Sequence, residues 1–421
     1  MCSDMQNRAK EHRKIDGHPC PVSDKGGWEK IDFKKAAAHV RRLQDRLTTA
    51  LLNKEFEFAE GITHLLLHSF YAKALAVESV STNRGKNTPG VDGRVLDNID
   101  EKYKMIYQLH ARGYRANALL RKAIPKASGK VRYLGIPTMK DRAMQTLYSF
   151  ALEPYAEITG DRHSYGFRRN RCAKDAIWRC LDVLESTPRP RWILEADIEA
   201  CFDNISHNWL LENVPMDKRI LRQFLKAKYM ENGRLYPIEK GTPQGGAISP
   251  MLCNIALDGL EQLLIDGLGE DIHFIRYADD IIVIGTDKNV LQAHAIPLIE
   301  DFLSVRGLHL SKEKTVITNI ADGFDFLGWR VQRKEVCVEV IPSDRNHSSL
   351  IEKVDAVLSD RSISSPQCKQ TLSRIVRGWL EYHKGVVPIP VLCEIGQALA
   401  RRVYDCTRDA ELTDLVVSIF N

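Results

Sequence analysis

No apolar run in this chain reaches the length that crosses a bilayer, and its first residues alternate acids with bases where a secretory leader would carry an apolar core. A signal peptide is therefore not expected, nor is a membrane partner; a bacterial cytoplasm or an organellar nucleoid is the expected location. The ten cysteines form no Cys-x-x-Cys pair and keep no regular spacing with histidine. That argues against a zinc site and a disulfide framework, and reduced thiols are the simplest expectation. Charge is not lopsided either. A net charge of only +5 over 421 residues rules out a polybasic sponge, so any affinity for phosphates must come from local clustering.

What is present is an ordinary globular composition, 44% hydrophobic and 27% charged, over a length that predicts two or three domains. Residues 1–27 carry His, Pro and Gly but few apolar anchors and read as a flexible tail. From Trp28 to about Val80 the apolar spacing is helical. Val40, Leu43, Leu47 and Leu51 make one stripe, Leu65, Leu66, Phe70, Ala74 and Val77 another, and Arg41, Arg42 and Arg46 give the first helix a basic face. Residues 81–93 form a loop rich in Gly and Asn. There Arg84 and Lys86 could meet phosphates, although a plain connector fits equally well.

A basic stripe follows between Arg112 and Arg142, with Asp141 as its one acid. It suggests a phosphate-bearing partner, with a solvated helix face as the alternative. Inside it, residues 123–137 read as a hairpin. Lys126 and Arg132 could reach one triphosphate from its two strands, the lysine as a point charge and the arginine as a fork. Residues 163–172 interleave aromatics with Arg168, Arg169 and Arg171. That pattern suits a single-stranded nucleic acid, whose bases stack while its phosphates pair; a core Tyr and Phe beside surface arginines explains it as well.

Acids enter next. Asp197 interrupts an apolar run at the end of a predicted strand, a costly place for a charge unless it is paired or binds metal. Asp203 reads as a turn cap. Residues 240–250 are a Gly/Pro loop opening a long apolar helix, 251–264. Residues 274–285 place two β-branched runs around Asp279 and Asp280, the signature of a tight hairpin. Two carboxylates at such a tip suit Mg²⁺, a hard ion that takes oxygen ligands, although Asp-Asp is also common turn chemistry. A helix over 289–307, a strand near 308–310, Lys312 and Lys314 before another strand, and the 324–331 segment, which completes the expected sheet, follow. Beyond His347 the pattern is helical again.

Taken in this order, the segments resemble the reverse transcriptases encoded by group II introns, from about Trp28 to Gly385. The most specific parts are Tyr277-Ala-Asp-Asp280, Pro243-Gln-Gly-Gly246, Ser164-Tyr-Gly-Phe-Arg168, and Ile124-Pro-Lys126 with Leu134-Gly-Ile-Pro137. The resemblance implies an α+β right-hand polymerase fold. Its parts would be a helical N-terminal extension (28–80), fingers and palm with an antiparallel sheet (81–340), a three-helix thumb or maturase domain (341–385) and a short helical tail (386–421).

It further implies RNA-directed DNA polymerisation from dNTPs on an RNA template and a DNA primer, using two Mg²⁺ ions with Mn²⁺ as a substitute. Asp197, Asp279 and Asp280 would be the catalytic, metal-binding acids, with the backbone carbonyl of Ile198 as a further ligand. Phe202 resembles the steric gate against a ribose 2′-hydroxyl, and Lys126, Arg132, Gln244 and the weaker candidate Lys314 would touch the incoming nucleotide. Arg84, Lys86, Arg168, Arg169 and Arg171 would contact nucleic acid. The chain's own intron RNA and a second copy of the chain are further candidate partners.

Two departures qualify the resemblance. The segment after Gly385 lacks the basic density and metal-ligand spacing of the family's DNA-binding and HNH endonuclease regions, so target-DNA cleavage is not expected. Cys201 also stands where a second aromatic is usual before Phe202-Asp203. Two other readings stay open on sequence: a free-standing, intron-derived polymerase in DNA repair or phage defence, and an RNA-binding splicing cofactor without polymerase activity.

Overall fold

The computed structural model describes residues 27–125, 131–186, 192–335 and 337–420. Lys126 and nearly all of the expected tail lie outside them. Among the described residues the first strands are β1 (Leu119–Pro125), β2 (Val131–Ile136), β3 (Trp192–Asp197), β4 (Tyr229–Glu231) and β5 (Arg234–Tyr236). They are followed by β6 (His273–Tyr277), β7 (Asp280–Gly285), β8 (Val316–Asn319), β9 (Phe324–Phe326), β10 (Trp329–Arg333) and β11 (Val338–Pro342). Helices fill most of the remainder, so the expected α+β character holds. The chain divides into two compact units. One comprises Met1–Arg162, Ile198–Leu260 and Glu300–Leu310, the other His163–Asp197, Glu261–Ile299 and Ser311–Asn421.

In the first unit, the helix Phe33–Leu52 buries Ala36, Val40, Leu43, Leu47 and Ala50, the i, i+3, i+4 stripe that its sequence foretells. Asp32 caps its start, accepting from the Lys35 N–H at 3.0 Å. The second expected stripe is split. The helices Phe56–His68 and Phe70–Thr82 part at Ser69, whose extended backbone (ψ 128°) ends one helix while its hydroxyl accepts from the Ala72 N–H that begins the next. Leu65 consequently faces solvent.

The strands of the expected 123–137 hairpin pair antiparallel, β1 against β2, its expected turn lying outside the described residues, and β4 adds parallel to β1 to give the order β2-β1-β4-β5. The long helix expected over 251–264 is two helices, Ser249–Leu257 and Leu260–Leu268, because Gly259 turns the chain at φ +94°.

Two members of the basic stripe's C-terminal end are internal. Asp141, 2% exposed, accepts from the Tyr114 and Thr138 hydroxyls at 2.7 Å each and from the Asn117 backbone at 3.1 Å. Arg142 is buried beside it and donates to the carbonyls of Pro137 (2.9 Å), Gly85 (3.0 Å) and Thr88 (2.5 Å). That guanidinium pins the 83–90 loop to the start of the helix Met139–Thr159. Arg112, Arg115, Lys122 and Arg132 remain exposed.

In the second unit, β6-β7-β3-β8 is antiparallel throughout. Ile193, Ile275, Ile282 and Ile284 pack on Ala176, Ile177, Cys180 and Leu184 of the helix Ala173–Glu185. Each fully buried Ile or Leu contributes roughly 1.5–3 kcal/mol, which makes this layer the rigid support for the strand ends. The same core continues through Phe324, Trp329 and Val331 of a second sheet, ordered β11-β10-β9. Four helices follow rather than three and a tail: Asp344–Ser359, Ser365–His383, Ile389–Thr407 and Ala410–Phe420. Leu399, Val403, Leu412 and Val416 from the last two share one core with Leu350, Val354, Leu372 and Val376 from the first two. The turn-rich 387–390 segment separates helices within one bundle.

Candidate active site

The two acidic segments come together in the second unit. Along β3 and β7 the register runs Trp192 opposite Gly285, step by step to Asp197 opposite Asp280. A two-residue connection, Ala278-Asp279, joins β6 to β7, with Tyr277 paired to Asp280. Ala278 has φ +57° while Asp279 does not enter the positive range. A positive φ at the first central residue alone marks a II′ turn, a place that ordinarily takes glycine. The turn puts Asp279 beside Asp280 although neighbours on a strand point to opposite faces.

Residues that the sequence reading left without a mechanical role hold this turn. His163 and Tyr165 clasp Arg276: the Arg276 N–H donates to the His163 carbonyl at 2.9 Å, and the Tyr165 N–H donates to the Arg276 carbonyl at 2.8 Å. Gly166 comes so close that a Cβ there would lie 2.3 Å from the Ala278 nitrogen. Arg276, wholly buried, donates to the Ala278 carbonyl at 3.2 Å. A basic residue in the middle of the apolar run was the available sequence signal.

Lys314 donates to Asp197 Oδ2 at 2.9 Å, and this neighbour raises the lysine's own pKa. Asp280, although its residue reaches solvent, has its carboxyl pushed up to about 6. The causes are lost hydration first, then the charges of Asp279 and Asp197, with Lys314 opposing them. Among the described residues no three His, Cys, Asp or Glu side chains stand arranged to hold a metal ion. The donor chemistry nevertheless fits a hard divalent cation: two carboxylates in register and a third beside them, one of the three, Asp280, held against ionising, with an ammonium on Asp197. Crowding of that kind is relieved by a cation.

The nucleotide-contact candidates Arg132 and Gln244 come together in the first unit. The Arg132 guanidinium donates to Gln244 Oε1, and Gln244 Nε2 donates to Asp203 Oδ2 at 3.1 Å. The Gly135 N–H donates to the Gln244 carbonyl at 2.9 Å, and Gly245 (φ +119°) passes 3.0 Å from the Gly135 oxygen, counted from where its Cβ would be. Phe202, 8% exposed, lies on a short helical turn, Cys201–Asn204, entered through Ala200 at φ +45°. Its carbonyl accepts from the Thr242 N–H at 2.6 Å. The loop at 240–246 is thus stitched to both β2 and the Phe202 turn. Asp203, read from sequence as a cap, is the acceptor that orients Gln244. Ile198 is buried and bridges to Leu310.

The remaining candidates have other neighbours. Arg84 and Lys86 are exposed on the loop that Arg142 holds. Arg168 is buried, its Nε donating to the Ser164 hydroxyl at 3.2 Å, and Arg171 donates to the Ser164 carbonyl at 2.6 Å. Of that trio Arg169 is exposed. Among the described residues no helix is long and apolar enough to cross a membrane.

Comparison with known proteins gives a consistent set of matches. A family model described as "Reverse transcriptase (RNA-dependent DNA polymerase)" matches residues 124–331, and one described as "N-terminal domain of reverse transcriptase" matches residues 28–109. Protein YkfC of Escherichia coli is 31% identical over 310 residues, covering 62% of this chain and 80% of that protein. Group II intron-encoded protein LtrA of Lactococcus lactis is 34% identical over 201 residues, 45% of this chain and 33% of LtrA. Maturase-like protein 1 of Euglena gracilis is 24% identical over 369 residues, 85% of this chain and 77% of that one. The matched region spans about a third of LtrA's length.

Proposed function

Because this chain belongs to the reverse transcriptase family, whose members relate to group II intron-encoded proteins and use divalent metal ions, we propose that it extends a DNA primer with dNTPs on an RNA template using Mg²⁺. The observation that carries the reading is the register of Asp197 with Asp280, beside Asp279 on a buttressed turn.

Asp197, Asp279 and Asp280 would hold the cations, with the Ile198 carbonyl as a further ligand. When bound, a Mg²⁺ pair supplies charge neutralisation at the triphosphate and eases ionisation of the primer 3′-hydroxyl. Lys314 gives up Asp197 and turns to a phosphate, a change that suits a flexible point charge. Arg132, joined by Lys126, meets the triphosphate, and Gln244, oriented by Asp203, positions the incoming nucleotide. Phe202, with its ring buried, excludes a 2′-hydroxyl by volume. Arg84, Lys86 and Arg169 meet backbone phosphates, while Arg168 and Arg171 shape the Ser164 segment that supports the turn.

Primer extension on an RNA template with dNTPs and Mg²⁺ tests the reading directly. Product that disappears with Asp279→Ala plus Asp280→Ala supports it. No product from the unaltered chain, or product that survives both substitutions, overturns it. The relation to a maturase-like protein over 85% of the chain supports a second task, assisting the folding of its own intron RNA. Splicing stimulated by a polymerase-dead variant is the expected outcome there.

A further inference from the structure

Two helices of the second unit, Asp344–Ser359 and Ser365–His383, leave between them an open cleft of about 370 Å³. This is within the size range of small-ligand pockets. The first helix contributes Ser349 and Lys353, four residues apart and hence on one face. The second contributes Ile375, Gly378, Trp379 and Tyr382 at i, i+3, i+4 and i+7 spacing. None of these residues took part in the assignments above.

The aromatic wall is fixed in advance. The Trp379 indole N–H donates to Asn346 Oδ1 at 2.6 Å, and His383 Nε2 bonds the same oxygen at 3.0 Å. The Tyr382 hydroxyl donates to the Leu327 carbonyl at 2.7 Å, and its ring stacks on Trp329 at 4.5 Å between centroids. Gly378 is the odd member. Glycine is unfavourable in a helix interior, yet a Cβ at this position would meet nothing within 4 Å. No neighbour requires the missing side chain; what it preserves is the open space. Lys353, at the rim, is exposed and makes no ion pair among the described residues.

A flat aromatic wall, an aliphatic neighbour, a hydroxyl and an uncommitted ammonium are the complement of one nucleotide: a π face to stack, an edge to hydrogen-bond and a phosphate to pair. We propose that this cleft receives a single unstacked base of a single-stranded nucleic acid, laid against Trp379 over Gly378, with the adjoining phosphate met by Lys353. The inference rests on the reading of the chain as a nucleic-acid polymerase, but its readout is binding alone.

The probe is a short single-stranded RNA carrying a fluorescent adenine analogue, titrated with the full chain, with single-stranded DNA and duplex of matched sequence as further arms. Gly378→Leu fills the space, and the favoured helix residue raises Tm, so a loss of binding is not a loss of fold. Gly378→Leu is expected to weaken single-strand binding about tenfold, the scale of one base's stacking, and to remove the analogue's signal change. Lys353→Gln is expected to lower the salt slope of binding by about one. Asp279→Asn serves as the control. It abolishes extension and leaves this binding in place, which separates failure of the cleft from failure of the polymerase reading. Unchanged affinity and signal in Gly378→Leu overturn the proposal, as does displacement of the RNA by an apolar peptide that lacks any anionic group. Equal loss with RNA and DNA supports a base site blind to the sugar, and equal loss with duplex overturns the requirement for an unstacked base.

Discussion

Asp197 and Asp280 are register partners across β3 and β7, and the only ammonium bonded to either among the described residues is that of Lys314, 2.9 Å from Asp197 Oδ2. Directly opposed residues on antiparallel strands have Cβ atoms about 4.5–5.5 Å apart. The Asp280 carboxyl, short of hydration, is made harder still to ionise by Asp279 and by Asp197 opposite.

The pH dependence follows from that crowding. The folded-state pKa of Asp280 is pushed up to about 6, from an ordinary value of 3.8. Between those values the folded state binds more protons than the unfolded state, so this group's contribution to stability falls as pH rises. A divalent cation needs the ionised form. Scanning calorimetry with and without Mg²⁺ should show a cation-dependent rise in Tm above pH 6 that fades as pH is lowered through that value. An increment that is constant across the range removes the link.

Removing charge from the pair separates catalysis from stability. Asp280→Asn is expected to abolish primer extension while leaving Tm equal to or above that of the unaltered chain at neutral pH. A Tm that drops sharply together with activity would mean that the carboxylate supports the fold.

Phe202→Val tests the gate. Truncation of a buried aromatic to Ala costs roughly 3–5 kcal/mol, and the smaller loss of volume here costs about 2 kcal/mol. The selective readout is the ratio of kcat/KM for a dNTP to that for the matching NTP, which should fall by at least tenfold, about 1.4 kcal/mol. A ratio that stays put while both rates decline leaves Phe202 as packing.

Arg142→Lys addresses the loop over 83–90. An ammonium cannot reach the three carbonyls that the guanidinium holds, and the change should cost about 1.5–3 kcal/mol. Limited proteolysis should then cut within 83–90 before it cuts the helices. Wild-type resistance would show that Arg142 is dispensable to the loop.

Much of the fold was legible because it is periodic. The Val40, Leu43, Leu47 stripe and the β-branched runs around Asp279 and Asp280 declare themselves by period and by turn chemistry. The breaks were not legible, because each depends on one residue's choice between two roles. Ser69 could sit inside a helix or cap one, and Gly259 could be tolerated in a helix or end it; tertiary packing decided both. In the site, the carboxylates could be read as a set only through the resemblance that the ordered segments carry. The clasp of His163 and Tyr165 on Arg276 could not, because it joins segments more than a hundred residues apart. Arg168 and Arg142 look from sequence like two more phosphate-seeking arginines. Their burial against Ser164 and three backbone carbonyls is visible only in the folded chain.

Ala278 carries a last consequence. At φ +57° this L-residue takes the backbone handedness that a D-amino acid prefers, with Arg276 bonded to its carbonyl and Gly166 packed against its nitrogen. Stereochemistry is thus a lever on the site. A chain assembled by chemical ligation with D-alanine at 278 should fold with less strain than the natural enantiomer, while keeping Asp197 opposite Asp280 and Asp279 beside them.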